Sequence, residues 1–347
     1  MGSDTCCSLS LATCTLGGIL PARPAASRIL PGVRGEGEMA KTDTVTAAQL
    51  DGWFESISNW GRWGDDDQRG ALNLITDAKR AEAASLVSEG AIVSCAQELP
   101  KRPAPDNPTP VIHAMQGAGD VTRGGGGGAS DMIAINPHGY ATTHLDALCH
   151  IFHNDQMYNG YPASMVTSLG ARLNSIMAGQ DGIVSRGVLL DIPALCGVDY
   201  LEPGERILVA DLEAAEERQG VRVTSGDILL VRTGRDERNA AEGRWDPMTG
   251  GLAGLSGETA PWLRERDVAV LGGDGVSDAL PSLVPEWAMP IHALALVALG
   301  VHLIDNMQLS RVAAACEEFE RWEFQLTLAP LRLAQGTGSP VNPIALF

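Results

Sequence analysis

The amino-acid sequence predicts an α/β domain in which a layered or barrel-like mixed sheet is flanked by helices. Three observations point there. The 347 residues give ample core for one large domain or two ordinary ones. Beyond residue 186, short apolar strands alternate with turns and helices. The helical patterns after residue 205 do not suit an all-β jelly roll.

The elements follow in order. Residues 1–38 carry small residues, Pro21, Pro24 and Pro31 and no apolar period, so a disordered tail is expected, with Met39 reading as an alternative start. Ordered structure is expected over 47–347, opening where Leu50, Trp53 and Phe54 recur at helical spacing. Trp60 and Trp63 beside Asp65, Asp66 and Asp67 lack the alternating oxygens of a calcium loop and read as a turn with an aromatic anchor. Thr76 caps a helix over 77–89 stopped by Gly90, and 91–97 reads as a strand. The five glycines of 124–128 lack the Gly-Lys-Ser/Thr of a phosphate loop; a mobile loop placed to act as a lid is expected. Strands follow over 187–191, 226–234 and 268–271, with a helix over 211–219 closed by Gly220. The stretch Gly272 to Asp278 lacks the third glycine of a dinucleotide fingerprint and reads as a turn held by Asp and Ser side chains. Pro290 opens a helix to about Leu299, broken by Gly300; a strand over 301–304 delivers Asp305. Ser310 caps a helix with Val312, Ala315, Cys316 and Phe319 on one face, and 324–328 closes the set as a strand.

Chemistry concentrates between His138 and His153. Those sixteen residues hold four of the seven histidines, where even spacing would leave fewer than one. If Thr142 to Asp146 is extended, His144 and Asp146 point the same way and converge on one point. Imidazole plus carboxylate suits zinc, manganese or ferrous iron. His150 follows across a plausible helical turn, beside such an ion, where a general base or acid belongs.

Thr143-His144-Leu145-Asp146-Ala147-Leu148-Cys149-His150 resembles the signature His-x-Gly-Thr-His-x-Asp-x-Pro-x-His of the metal-dependent cyclase hydrolases, which include kynurenine formamidase and isatin hydrolase. Three positions depart from it: Tyr140 replaces the first His, Thr142 the Gly and Leu148 the Pro. The resemblance covers roughly 47–347 and implies a swivelling β/β/α fold. It also implies a divalent ion, zinc or manganese, held by His144, Asp146 and Asp305. A second ion would draw on His138, offset by two residues, and on His292. Asp274 and Ser277 match a pocket segment of the family. Members usually form dimers or larger assemblies, so a homo-oligomer is expected.

The implied reaction is hydrolysis of an amide, cyclic amide or lactone by metal-activated water, with His150 as general base and acid. No Gly-x-Ser-x-Gly occurs to offer a serine route. Two other classes compete. His-x-Asp with His302 and Arg311 imitates a 2-oxoglutarate-dependent ferrous-iron oxygenase, and a non-catalytic binding protein would keep the pocket without the ion.

Charge narrows the partners. With 25 basic against 43 acidic residues the net charge is −18, a surface that repels nucleic acid and anionic membrane and favours a small-molecule substrate. Seven cysteines without a Cys-x-x-Cys suggest a reduced, cytoplasmic chain, and no apolar run reaches the roughly 20 residues of a membrane span.

Overall fold

Thr46 and Gln49 open the first helix with a reciprocal cap: the Thr46 side chain accepts from the Gln49 N–H, and the Gln49 side chain accepts from the Thr46 N–H. The computed structural model describes residues 45–121 and 124–347, so the expected tail lies outside the described residues. From this cap α1 (Ala47–Ser56) buries Leu50. Thr76 caps α2 (Asp77–Ser85) as expected, but that helix stops four residues early. Leu86 and Val87 close a tightened turn on the Ala83 and Ala84 carbonyls, and the N–H groups of Glu89 and Gly90 then donate to the Phe347 carbonyl at the far end of the chain instead of extending a helix.

Strand β1 (Ile92–Ser94) is shorter than the expected 91–97: it pairs with residues 344–346, and past it the chain changes partners, Ala96 bridging Met307. A ribbon of β2 (Ile112–Gly117) and β3 (Ser130–Ala134) follows, with the exposed glycines 124–128 between its strands. Next come β4 (His144–Asp146), β5 (Ile183–Asp191), helices α3 (Ile192–Cys196) and α4 (Val209–Gln219), and β6 (Ile228–Arg232). Gly220 ends α4 at φ +65°, a left-handed cap that glycine adopts without a Cβ penalty. Helices α5 (Arg235–Glu242) and α6 (Thr259–Glu265) lead to β7 (Val270–Gly273).

The segment Pro290–His292 begins α7 and continues as a π-helix, Ala293–Leu299, where the sequence suggested ordinary helix throughout. Its widened turn leaves carbonyls to outside donors: the Trp60 ring N–H reaches Val297 O, and Asn59 reaches Ala298 O and Leu299 O. The tryptophan turn thus anchors the helix that carries His292. Then follow β8 (His302–Asp305), α8 (Ser310–Glu318, its cap position held by Leu309, one residue before the expected Ser310), β9 (Glu323–Leu328), β10 (Gly338–Pro340) and β11 (Ile344–Leu346).

Nine strands form one mixed sheet in the order β1-β11-β9-β5-β6-β7-β8-β4-β10. The four central strands, β5 to β8, run parallel with helices in the connections; the flanks are antiparallel. Alternation along the strands feeds two cores. Val188, Leu190, Leu229 and Val231 pack on one side with α1, α4 and α7, while Leu189, Ile228, Leu230 and Phe324 pack on the other with α8. Buried on both faces, β6 and β7 read as continuous apolar runs, which is why they were visible in the sequence. This mixed sheet with crossing helices is not the all-β jelly roll that the oxygenase alternative requires.

Candidate metal centre

Extended backbone at β4 puts His144 and Asp146 on one face and Leu145, fully buried, on the other. Antiparallel pairing then sets Asp305 of β8 directly opposite His144. Because β8 runs parallel to β7, Asp305 emerges at the carboxyl end of the sheet, the edge where α/β proteins bind ligands.

Two groups of three ligand-type side chains meet there, His138 with His144 and Asp146, and Asp146 with His292 and Asp305. Asp146 belongs to both. Its Oδ1 stands 3.0 Å from His138 Nδ1 and 3.3 Å from His144 Nε2, and its Oδ2 stands 3.6 Å from His292 Nε2. His292 Nε2 is also 3.4 Å from Asp305 Oδ2. Yet both oxygens of Asp146, Asp305 Oδ1 and His138 Nδ1 are buried without a hydrogen bond. For His138 and Asp146 the separation is short enough and only the angle fails, so these atoms face a shared point rather than each other. Buried carboxylate oxygens without partners are costly, and a cation is what such a set accommodates.

The far side of each imidazole is also held. His144 Nδ1 donates to Thr142 O at 2.8 Å, His292 Nδ1 to Asp278 Oδ2 at 2.6 Å, and His138 Nε2 lies 3.1 Å from Thr337 Oγ1. Each contact turns the other ring nitrogen toward the centre, where an ion would take the place of a proton. Gly338 completes the cradle: a Cβ there would meet His138 Cε1 at 2.6 Å and Leu145 O at 2.9 Å.

Proton affinities follow from the crowding. Burial disfavours a charged His144, but Asp146, with help from Asp305 and the Thr142 carbonyl, outweighs it and raises the imidazole to about 9. His292 is likewise raised against its burial, chiefly by Asp305 and Asp278. Asp146 resists its own burial and is held well below the usual carboxylate range, foremost by His144. Burial, reinforced by Asp146, pushes Asp305 up. His150 behaves oppositely: burial first, then His138, His292 and His144, bring it down to about 4.

The residues singled out in the sequence are distributed as follows. His144, Asp146 and Asp305 all arrive, but they divide, His144 joining His138 and Asp305 joining His292. His150 belongs to neither group; its ring stacks on His138 at 3.7 Å with planes 1° apart. Asp274 is occupied elsewhere, accepting from the N–H groups of Thr233, Gly234 and Arg235 and from the Thr233 hydroxyl, which anchors the start of α5. Ser277 Oγ is buried without a partner. His302 is buried with neither ring nitrogen bonded and lies outside both groups, and burial lowers it to about 4.

Asp278, Thr142 O and Thr337 were missed. Asp278 stood in view between Ser277 and Ala279, but no local spacing ties it to a histidine fourteen residues on. A cavity of about 380 Å³ lies nearby, lined by Tyr140, Arg235, Asp236, Arg244 and Asn306 among others, and none of the five clustered ligands lines it. The centre is more open at His138, whose side chain is 21% exposed.

Comparison with known proteins adds to this geometry. The family model Cyclase matches residues 94–278. Among solved structures, the crystal structure of a novel cyclase is 32% identical over 85% of this chain and 99% of that one, at a TM-score of 0.76. An isatin hydrolase bound to the product analogue thioisatinate is similar at 17% identity over 78% of this chain and 95% of its own, with a TM-score of 0.52. Isatin hydrolase A from Ralstonia solanacearum shows 21% identity over 74% and 91%, also at 0.52. At such identities the two isatin hydrolases bear on the fold alone. No curated protein matches the chain.

Proposed function

Because the chain belongs to the Cyclase family, we propose that it is a metal-dependent hydrolase cleaving an amide, cyclic amide or lactone bond of a small molecule, with arylformamidase-like C–N cleavage as the leading case. The observation that supports it most is Asp146, buried and shared between two three-residue groups with neither oxygen hydrogen-bonded. One or two divalent ions, zinc or manganese, held by His144, Asp146 and Asp305 with His138 and His292, would bring the pKa of water toward neutrality and polarise the scissile carbonyl.

The chain's own groups supply the rest. Nδ1 of His144 and of His292 is held on Thr142 and Asp278, so Nε2 of each is the atom that would bind an ion in place of the proton its raised affinity favours. His150, lowered to about 4, is neutral at pH 7 and available to accept a proton from the attacking water and return it to the leaving nitrogen or oxygen. Its stack on His138 sets the plane of the ring. Asp274 and Ser277 remain candidates for the substrate side, Ser277 with the freer group.

The proposal extends to a cytoplasmic homo-oligomer; the free thiols of Cys95, Cys149 and Cys316 support a reducing compartment. No helix among the described residues is long and apolar enough to cross a membrane. The test is a hydrolysis screen over N-formyl anilines, isatin and small lactones, with chelator-stripped protein compared against zinc- and manganese-loaded protein. Turnover that appears only with added ion is expected. Protein that takes up no divalent ion would overturn the reading.

A further inference from the structure

Behind the three imidazoles stand three different acceptors. His292 leans on a carboxylate, Asp278, which also accepts from the backbone N–H groups of Ile291 at 2.7 Å and His292 at 3.1 Å and is itself fully buried. His144 leans on a backbone carbonyl and His138 on a threonine hydroxyl. An ionised acceptor makes the stronger bond to an imidazole N–H, holds the tautomer more firmly and leaves the opposite nitrogen a better donor to a cation.

The ligand atoms differ in the same direction. Asp146, His292 and Asp305 bring two carboxylates and one imidazole, all buried, whereas His138, His144 and Asp146 bring one carboxylate and two imidazoles, with His138 partly open to solvent. Two carboxylates attract a divalent ion more strongly than one, and a buried position exchanges it more slowly.

Resting on the metal-dependent reading above, we infer that Asp278 is a positioning residue that makes the two ion positions unequal, the one at His292 and Asp305 tight and the one at His138 and His144 loose and exchangeable. Asp278 acts through His292 and touches neither ion nor substrate. Its carboxylate also pins the first turn of α7, which ties the orientation of the ring to the helix that carries it.

The experiment titrates manganese, and separately zinc, into chelator-stripped full-length protein, reading stepwise affinities by calorimetry and bound ion by elemental analysis after dialysis. Wild type is expected to bind two ions in steps separated by about tenfold or more, and Asp278→Asn is expected to weaken the tighter step by about 10- to 100-fold while sparing the looser one. Asparagine keeps one oxygen, for only one of the two backbone N–H groups, since Ile291 and His292 donate to separate carboxylate oxygens, and circular dichroism therefore checks the fold. Thr337→Val, which removes the hydroxyl behind His138, is expected to weaken the looser step alone; this arm decides the matter if Asp278→Asn does not fold. Two equal steps, a single step, or a variant that weakens both positions alike would overturn the inference while leaving the hydrolase reading intact. A wild type that binds no ion would remove both.

Discussion

Asp146→Asn is the sharpest perturbation the centre offers, since the substitution keeps the shape of the side chain and removes the one charge that both ligand groups share. An ion that binds only the folded state stabilises it by about 2.7 kcal/mol at a free concentration 100 times its Kd, so two filled positions contribute about twice that. For a unit of roughly 300 residues unfolding near 60 °C, with an entropy of about 2.1 cal/mol/K per residue, this corresponds to a rise in Tm of roughly 4 °C for one ion and 8–9 °C for two. Asp146→Asn should lose most of the rise, because each group is left with a neutral amide where the carboxylate stood. His292→Ala, which touches one group only, should keep about half. The assay is scanning calorimetry with chelator and with zinc or manganese, each variant read as the difference between its own two scans. Any change in basal stability then cancels. If Asp146→Asn gains as much as the wild type, the convergence of the buried oxygens on a cation is the wrong interpretation.

His150→Ala is expected to lower turnover about 100-fold or more while leaving ion content unchanged; elemental analysis beside the rate assay checks both, and loss of ion would make His150 a ligand instead. Gly338→Ala forces a Cβ into the ring of His138, and a lower Tm with weakened ion uptake is expected in the same calorimetric assay; unchanged uptake would remove His138 from the centre. Burial, then Asp274, pushes Asp236 up to about 6, so its contribution to stability is present below the unfolded value near 4 and is lost as pH rises through 6. Asp236→Asn should therefore unfold at higher urea than wild type at pH 8, by at most about 3 kcal/mol, with the gap closing near pH 4; equal midpoints at pH 8 would refute this.

Local patterns carried far into the fold. Thr76, Gly220 and the apolar runs of β6 and β7 announced themselves because caps, left-handed turns and doubly buried strands are written in adjacent residues. His144 and Asp146 were legible for the same reason, being two apart on one strand. The early end of α2 was not: Leu86 and Val87 close a tightened turn on Ala83 and Ala84, and the N–H groups of Glu89 and Gly90 go to the carbonyl of Phe347. Nor was the π-helical turn after His292, where donors arrive from Asn59 and Trp60.

The sequence by itself determined the fold class, the metal-ligand types and the segment that carries most of them, since each depends on periodicity or on neighbours a few residues apart. Tertiary structure alone decided how the ligands are shared. Antiparallel pairing sets Asp305 opposite His144, α7 brings His292 beside Asp305 and Asp146, and Asp278 backs His292 across fourteen residues of chain. Which two histidines stand with which carboxylate depends on the register between strands and the packing of a helix end, and neither quantity is encoded in any local stretch of the chain.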